Sequence, residues 1–129
     1  MTDRIKFEME FPIKVSQKLL FQYISTPSGL SEWFADNVNS RGEIFIFIWD
    51  DSEESAKLIK KINNEKIQFQ WLDDEETDYY FDLRIQFDEI TKDVSLIVTD
   101  FADDEDEVEE SKLLWTNQIS DLKKVLGST

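Results

Sequence analysis

Acid–base chemistry at neutral pH would fall in this chain to carboxylates, lysines or tyrosines, because its 129 residues include no histidine and no cysteine. A carboxylate would need a raised pKa, and a lysine a lowered one, before either could serve as a general base. Almost every aspartate and glutamate falls in a polar loop or on the outward phase of a strand. Ser25, Ser31, Ser95 and Ser120 have no base beside them, and Gly29, Gly42 and Gly127, the only glycines, form no phosphate-cradling loop. Tyr79 and Tyr80 are adjacent, so only one of them can face inward. The acidic run Asp103, Asp104, Glu105, Asp106, Glu107, Glu109 and Glu110 lacks the glycine-bearing spacing of a calcium loop. Nothing in the sequence calls for a metal or a cofactor, and no catalytic set is identified. What stands out instead is aromatic mass: 10 Phe, 4 Trp and 3 Tyr.

The chain suits one domain over residues 1–129, large enough to bury a single core without staples. Without cysteine there are no disulfides and no sign of an oxidising compartment, so the cytoplasm is the expected location. No apolar run approaches the roughly 20 residues needed to cross a bilayer, and Met1-Thr2-Asp3-Arg4-Ile5-Lys6 lacks the apolar core of a signal peptide. A net charge of −15 repels nucleic-acid phosphates and anionic membranes, so neither is an expected partner. The charge is uneven: 11 acidic and 9 basic residues stand up to Leu72, against 18 and 5 beyond it. That acidic second half serves solubility and would also attract a basic protein partner.

Ile5, Phe7, Met9 and Phe11 alternate with charged residues in the period of a half-buried strand. Ser16 is a good N-cap for a helix carrying Leu19, Leu20, Tyr23 and Ile24 on one side, ending near Ser25. Thr26 caps a second, short helix with Pro27 at its first position, and Leu30, Trp33 and Phe34 follow at helical spacing. Residues 25–36 therefore read as a hinge between two helices. Residues 44–49, Ile-Phe-Ile-Phe-Ile-Trp, form a strand apolar on both faces, each of which needs a cover of chain or partner. A turn over 50–53 leads to further strands at 55–62, 66–72, 79–87 and 94–101, joined by short polar loops as an antiparallel meander. Lys57, Lys60 and Lys61 make 55–62 read as an edge strand, with a helix as the alternative. Alternation sets Ile67, Phe69 and Trp71 on one face and Phe81, Leu83, Ile85 and Phe87 likewise, with Asp82, Arg84 and Gln86 opposite. Val108, Trp115, Ile119, Leu122 and Leu126 share one face of a closing helix, with acids in its first turn, Lys123 and Lys124 in its last, and Gly127 as its stop.

Strand, two short helices, about six antiparallel strands and a long helix is the order of the helix-grip fold, an α+β architecture. The chain resembles the START-like proteins of the SRPBCC superfamily, nearest the branch named after the activator of the heat-shock chaperone ATPase. The residues that carry the likeness are the 16–24 helix, Thr26-Pro27-Ser28-Gly29-Leu30-Ser31-Glu32-Trp33-Phe34, Phe47-Ile48-Trp49, Leu114-Trp115, and Leu122-Lys123-Lys124-Val125-Leu126-Gly127. The resemblance implies a curved sheet of six to seven strands gripping the last helix, with a hydrophobic cavity between them. It places Trp33 and Phe34 at the mouth, Phe47, Trp49, Phe69, Trp71 and Phe81 on the sheet, and Trp115 and Ile119 on the helix. By the ordinary rule for apolar residues at core spacing, each also serves as core filling.

Three functions are open to such a chain. A small apolar or lipid-like ligand would occupy the implied cavity. A protein-interaction module, chaperone-associated as the branch name implies, would use the acidic half or the two-sided apolar strand. An enzyme on an apolar substrate would need a buried polar group among the aromatics. The chain is expected as a monomer or a homodimer, the latter through an exposed face of the 44–49 strand.

Overall fold

The computed structural model describes residues 3–127. Its elements in chain order are β1 (Ile5–Pro12), α1 (Gln17–Ser25), α2 (Pro27–Leu30), β2 (Asn37–Arg41), β3 (Ile44–Trp49), β4 (Ser52–Ile62), β5 (Lys66–Trp71), a 3-10 turn (Leu72–Asp74), β6 (Phe81–Phe87), β7 (Val94–Ala102) and α3 (Glu105–Leu126). The strands form one antiparallel sheet in the order β1-β7-β6-β5-β4-β3-β2, a meander whose far edge is closed by the first strand. α3 packs over β1 and β7, α1 over β5 and β6, and α2 against α1 and β2. This is the helix-grip arrangement.

Local chemistry explains the helix ends. The Ser16 hydroxyl accepts from the Leu19 N–H, and Asp104 accepts from the Glu107 N–H, each satisfying an amide that no helical carbonyl reaches. α3 ends at Gly127, whose left-handed backbone (φ 73) lets its N–H return to the Lys123 and Lys124 carbonyls. At the two-residue β2–β3 turn, Gly42 likewise supplies a positive φ of 62.

The inner sheet face and the three helices enclose one apolar core, in which Phe47, Phe69, Ile67, Leu83, Leu96, Val98 and Leu122 have no exposed surface. Four expectations are corrected. β2, a short strand of mostly polar residues, carries no apolar alternation and went unpredicted; its pairing with β3 forms the sheet edge. The lysine-rich segment 55–62 is a strand but not an edge, since β4 begins at Ser52 and lies between β3 and β5. Its lysines are tolerated because Lys57 and Lys60 point outward and a register shift at Leu58/Lys60 accommodates the rest. On α1, Leu19 is 39% exposed while Phe21 is buried, because the helix packs with Leu20, Phe21 and Ile24 inward. The second helix stops at Leu30, so Trp33 and Phe34 lie in the turn beyond it.

Candidate functional site

Residues 25–36, the end of α1, α2 and the turn that leads to β2, cover one end of the grip, and each turn of the segment has a visible cause. The Thr26 hydroxyl accepts from the Gly29 N–H (3.0 Å) and donates to the Gln22 carbonyl (2.7 Å), so one side chain starts α2 and ties it to α1. Gly29 permits that approach: a Cβ there would collide with the Gln22 carbonyl oxygen and stand 2.6 Å from the Tyr23 Cα. Beyond Leu30 the chain winds on as a turn, with the Trp33, Phe34 and Ala35 N–H groups all directed at the Leu30 carbonyl (3.4, 2.8 and 3.4 Å), and then leaves for β2. Trp33 turns back, its indole N–H donating to the Tyr23 carbonyl at 2.8 Å.

Phe34 turns inward and becomes the hub of the core. Its ring centroid lies 5.5 Å from Trp33, 5.1 Å from Phe47, 6.1 Å from Trp49, 5.9 Å from Phe81 and 5.7 Å from Trp115. The network continues through Phe47 to Phe69 and Trp71, and through Phe69 to Phe45. All eight rings singled out from the sequence thus join one contiguous cluster, and Ile119 is buried in the same core. Trp33, Phe34, Phe47, Phe69, Phe81 and Trp115 are buried; Trp49 and Trp71 are partly so. The space between sheet and α3 at this end is occupied by these side chains.

The 31–36 turn is joined to both β3 and α3 through one atom. The Phe34 carbonyl oxygen accepts from the Trp49 indole N–H (3.3 Å) on β3 and from the Gln118 amide (3.1 Å) on α3. Directly outside lies an open cleft of about 580 Å³, lined by residues 31–36, Trp49, Gln118, Asp121, Lys124 and Val125. Phe34 is therefore both a floor of the cleft and a plug of the core.

Trp115 marks the other side of the cluster. Its indole N–H donates to Asp100 Oδ2 at 3.0 Å, and Asp100 Oδ1 accepts from the Phe101 N–H at 2.8 Å. Burial pushes the Asp100 carboxyl up to about 6, against the stabilising bonds from Trp115 and Phe101 and the charge of Arg4. Arg4 in turn forks onto Asp74 at 2.9 and 3.0 Å, reaches Asp103 at 3.1 Å and lies over the Tyr79 ring. Asp100 is a partly buried carboxylate against the aromatic cluster that sequence reasoning missed. The signal was present: Val94, Leu96, Val98, Asp100 and Ala102 share the inward phase of β7, and an aspartate in such a row is anomalous. A carboxyl held near neutrality could exchange protons with a substrate, but both its oxygens are engaged with protein donors, so its visible task is to hold α3 on β7. A second surprise is Asp82, which lies on the outward phase as expected yet is 5% exposed, paired to Lys66 at 3.6 Å. Burial is the leading cause that raises its pKa, opposed chiefly by Lys66. Among the described residues no group of three or more carboxylates is arranged to hold a metal ion, and no helix is long and apolar enough to cross a membrane.

The profile of the START-like superfamily domain matches residues 1–128. No curated protein matches the sequence significantly. Among solved structures, the solution structure of BfR322 from Bacteroides fragilis shares 34% identity and covers 97% of this chain and 93% of its own, with a TM-score of 0.69. The Aha1 dimer from Colwellia psychrerythraea shares 17% identity, with 95% and 96% covered and a TM-score of 0.78. SSP2350 from Staphylococcus saprophyticus shares 16%, with 95% and 92% covered and a TM-score of 0.76. The last two share the fold at identities too low to carry more. A helix-grip sheet around the long closing helix and a profile match over nearly the whole length lead to one conclusion: the chain belongs to the START-like superfamily.

Proposed function

We propose that the protein binds a small apolar or lipid-like molecule between the sheet and α3, admitted at the lid, with Phe34 vacating the place the ligand takes. The observation that carries this reading is the position of Phe34. It is the one ring of the cluster's centre supplied by a turn rather than by β3, β5, β6 or α3, and it is held by two hydrogen bonds to its own carbonyl. Lifting the 31–36 turn would break those two bonds and expose a site walled by Phe47, Trp49, Phe81 and Trp115, joining it to the cleft outside. An apolar ligand entering there replaces ring contacts with ring contacts, so the aromatic core is a resting state rather than an obstacle.

Native mass spectrometry of gently purified protein, followed by extraction and identification of any bound compound, tests the reading directly. A Phe34→Ala variant that takes up a benzene-sized probe, which the parent admits only with lid opening, supports it. A protein that is always empty, whose Phe34→Ala variant binds no apolar probe, sinks it.

A second reading, a protein-interaction module, is favoured by α3. Leu113 and Leu114 are 63% and 64% exposed and stand one turn beyond Glu109 and Glu110, an acidic-apolar surface that a basic partner would complement.

A further inference from the structure

The outward face of the sheet has the opposite character from α3. On β3 it presents Ile44, Ile46 and Ile48, which stay partly exposed with no helix over them. Register places Arg41 and Lys57 on either side of Ile44, and sets Lys60 opposite outward-facing Gln68 further along β4. None of the ion pairs among the described residues uses Arg41, Lys57 or Lys60. A chain of net charge −15 therefore carries two cations without an ion pair at the Ile44 end of an apolar row and a third, Lys60, further along β4, while Glu53 stands beside Ile48 at the row's other end. The first ten residues of α3 hold the complement: five carboxylates, one lysine (Lys112), and the exposed pair Leu113 and Leu114.

We propose that the outward face of β2–β4 receives the acidic half of α3 from a second copy of this chain. Leu113 and Leu114 seat on the isoleucine row, and Glu109 and Glu110 meet Lys57, Lys60 and Arg41. The inference rests on the interaction reading of α3 and names its partner. Two features argue for a second copy: opposite charge flanks apolar surface on the two faces, and each face keeps apolar surface in water, partly at Ile44, Ile46 and Ile48 and fully at Leu113 and Leu114. Because α3 lies on the inner side of the sheet, the two surfaces are on opposite sides of the molecule. The contact is then head-to-tail, the same two different patches repeating from copy to copy. The net charge of each copy opposes approach at long range, so association is strongest where the Debye length is about 8 Å, near physiological salt, and weakens again toward about 1 M.

Sedimentation over micromolar to millimolar concentration tests this with two variants. Lys57→Glu with Lys60→Glu disables the sheet face; Leu113→Ser with Leu114→Ser disables the helix face. All four side chains are exposed, so the fold is retained, and circular dichroism checks it; Lys57→Gln with Lys60→Gln is the milder substitute. The parent's weight-average mass should rise at least twofold with concentration and follow the salt dependence above. Each variant alone should stay monomeric. An equimolar mixture should form a one-to-one dimer that grows no further, since each variant retains the face the other lacks. A parent that is monomeric throughout, a variant that still self-associates, or a mixture that stays monomeric overturns the proposal. A monomeric parent that nevertheless binds a basic amphipathic peptide through Leu113 and Leu114 also overturns it, while leaving the interaction reading intact.

Discussion

Replacing Asp100 by Asn should change how stability depends on pH more than it changes stability itself. In the folded chain burial moves this carboxyl from 3.8 to about 6. Between those pH values the native state keeps a proton that the unfolded state releases. Folding then takes up protons, and stability falls as pH rises through about 6. At about 1.4 kcal/mol per pH unit, the rise costs the native state about 2–3 kcal/mol at pH 7, an amount fully relieved below pH 4. The Asn variant has no such term. It brings a fixed penalty of its own: with one acceptor oxygen it can serve the Trp115 indole or the Phe101 N–H, not both, at about 1 kcal/mol. That offset does not depend on pH, so it drops out of the slope. Urea unfolding followed by tryptophan fluorescence, on both proteins from pH 4 to 8, gives the difference in stability at each pH. The parent should lose about 2–3 kcal/mol relative to the variant across that range. A difference that stays flat, or that moves in the parent's favour as pH rises, refutes the assignment of Asp100 as a buried carboxyl that ionises at a cost.

Phe34→Ala removes the ring that touches five others and should destabilise the fold by about 3–5 kcal/mol, read by urea denaturation. Gly29→Ala should cost about 1–3 kcal/mol, because α2 must move off the Gln22 carbonyl; the more flexible lid should show as faster amide exchange in 31–36. Ser16→Ala deletes the α1 cap and should cost about 1 kcal/mol in the same assay. Lys66→Gln strands Asp82 as a buried carboxylate and should cost about 1–3 kcal/mol at neutral pH, with the loss shrinking in acid as Asp82 takes up a proton.

Features encoded within a short window of residues were legible before any fold was known. Ser16 before a helix, Thr26-Pro27 restarting one, Gly127 ending one, and the alternation in β1, β3, β5 and β6 depend on contacts within a few positions, so period and cap chemistry report them faithfully. The order of those elements was enough to name the architecture; the eight rings singled out by family resemblance lie in one cluster with a ninth, Phe45, which the alternation of β3 puts on the same face as Phe47. Adjacency between distant parts of the chain came from folding alone. β2 has no pattern of its own and exists because β3 offers it an edge. β4 looked like an edge because lysines usually guard edges, but whether a strand has two neighbours depends on residues far away in sequence. Asp82 and Asp100 are alike in composition and opposite in phase, yet both are withdrawn from water, Asp82 fully beside Lys66 and Asp100 in part beside Trp115. Phe34 is one aromatic among seventeen in the sequence. It becomes the hub because a turn, pinned by Trp49 and Gln118, points it into a space bounded by two strands and a helix from three separate parts of the chain.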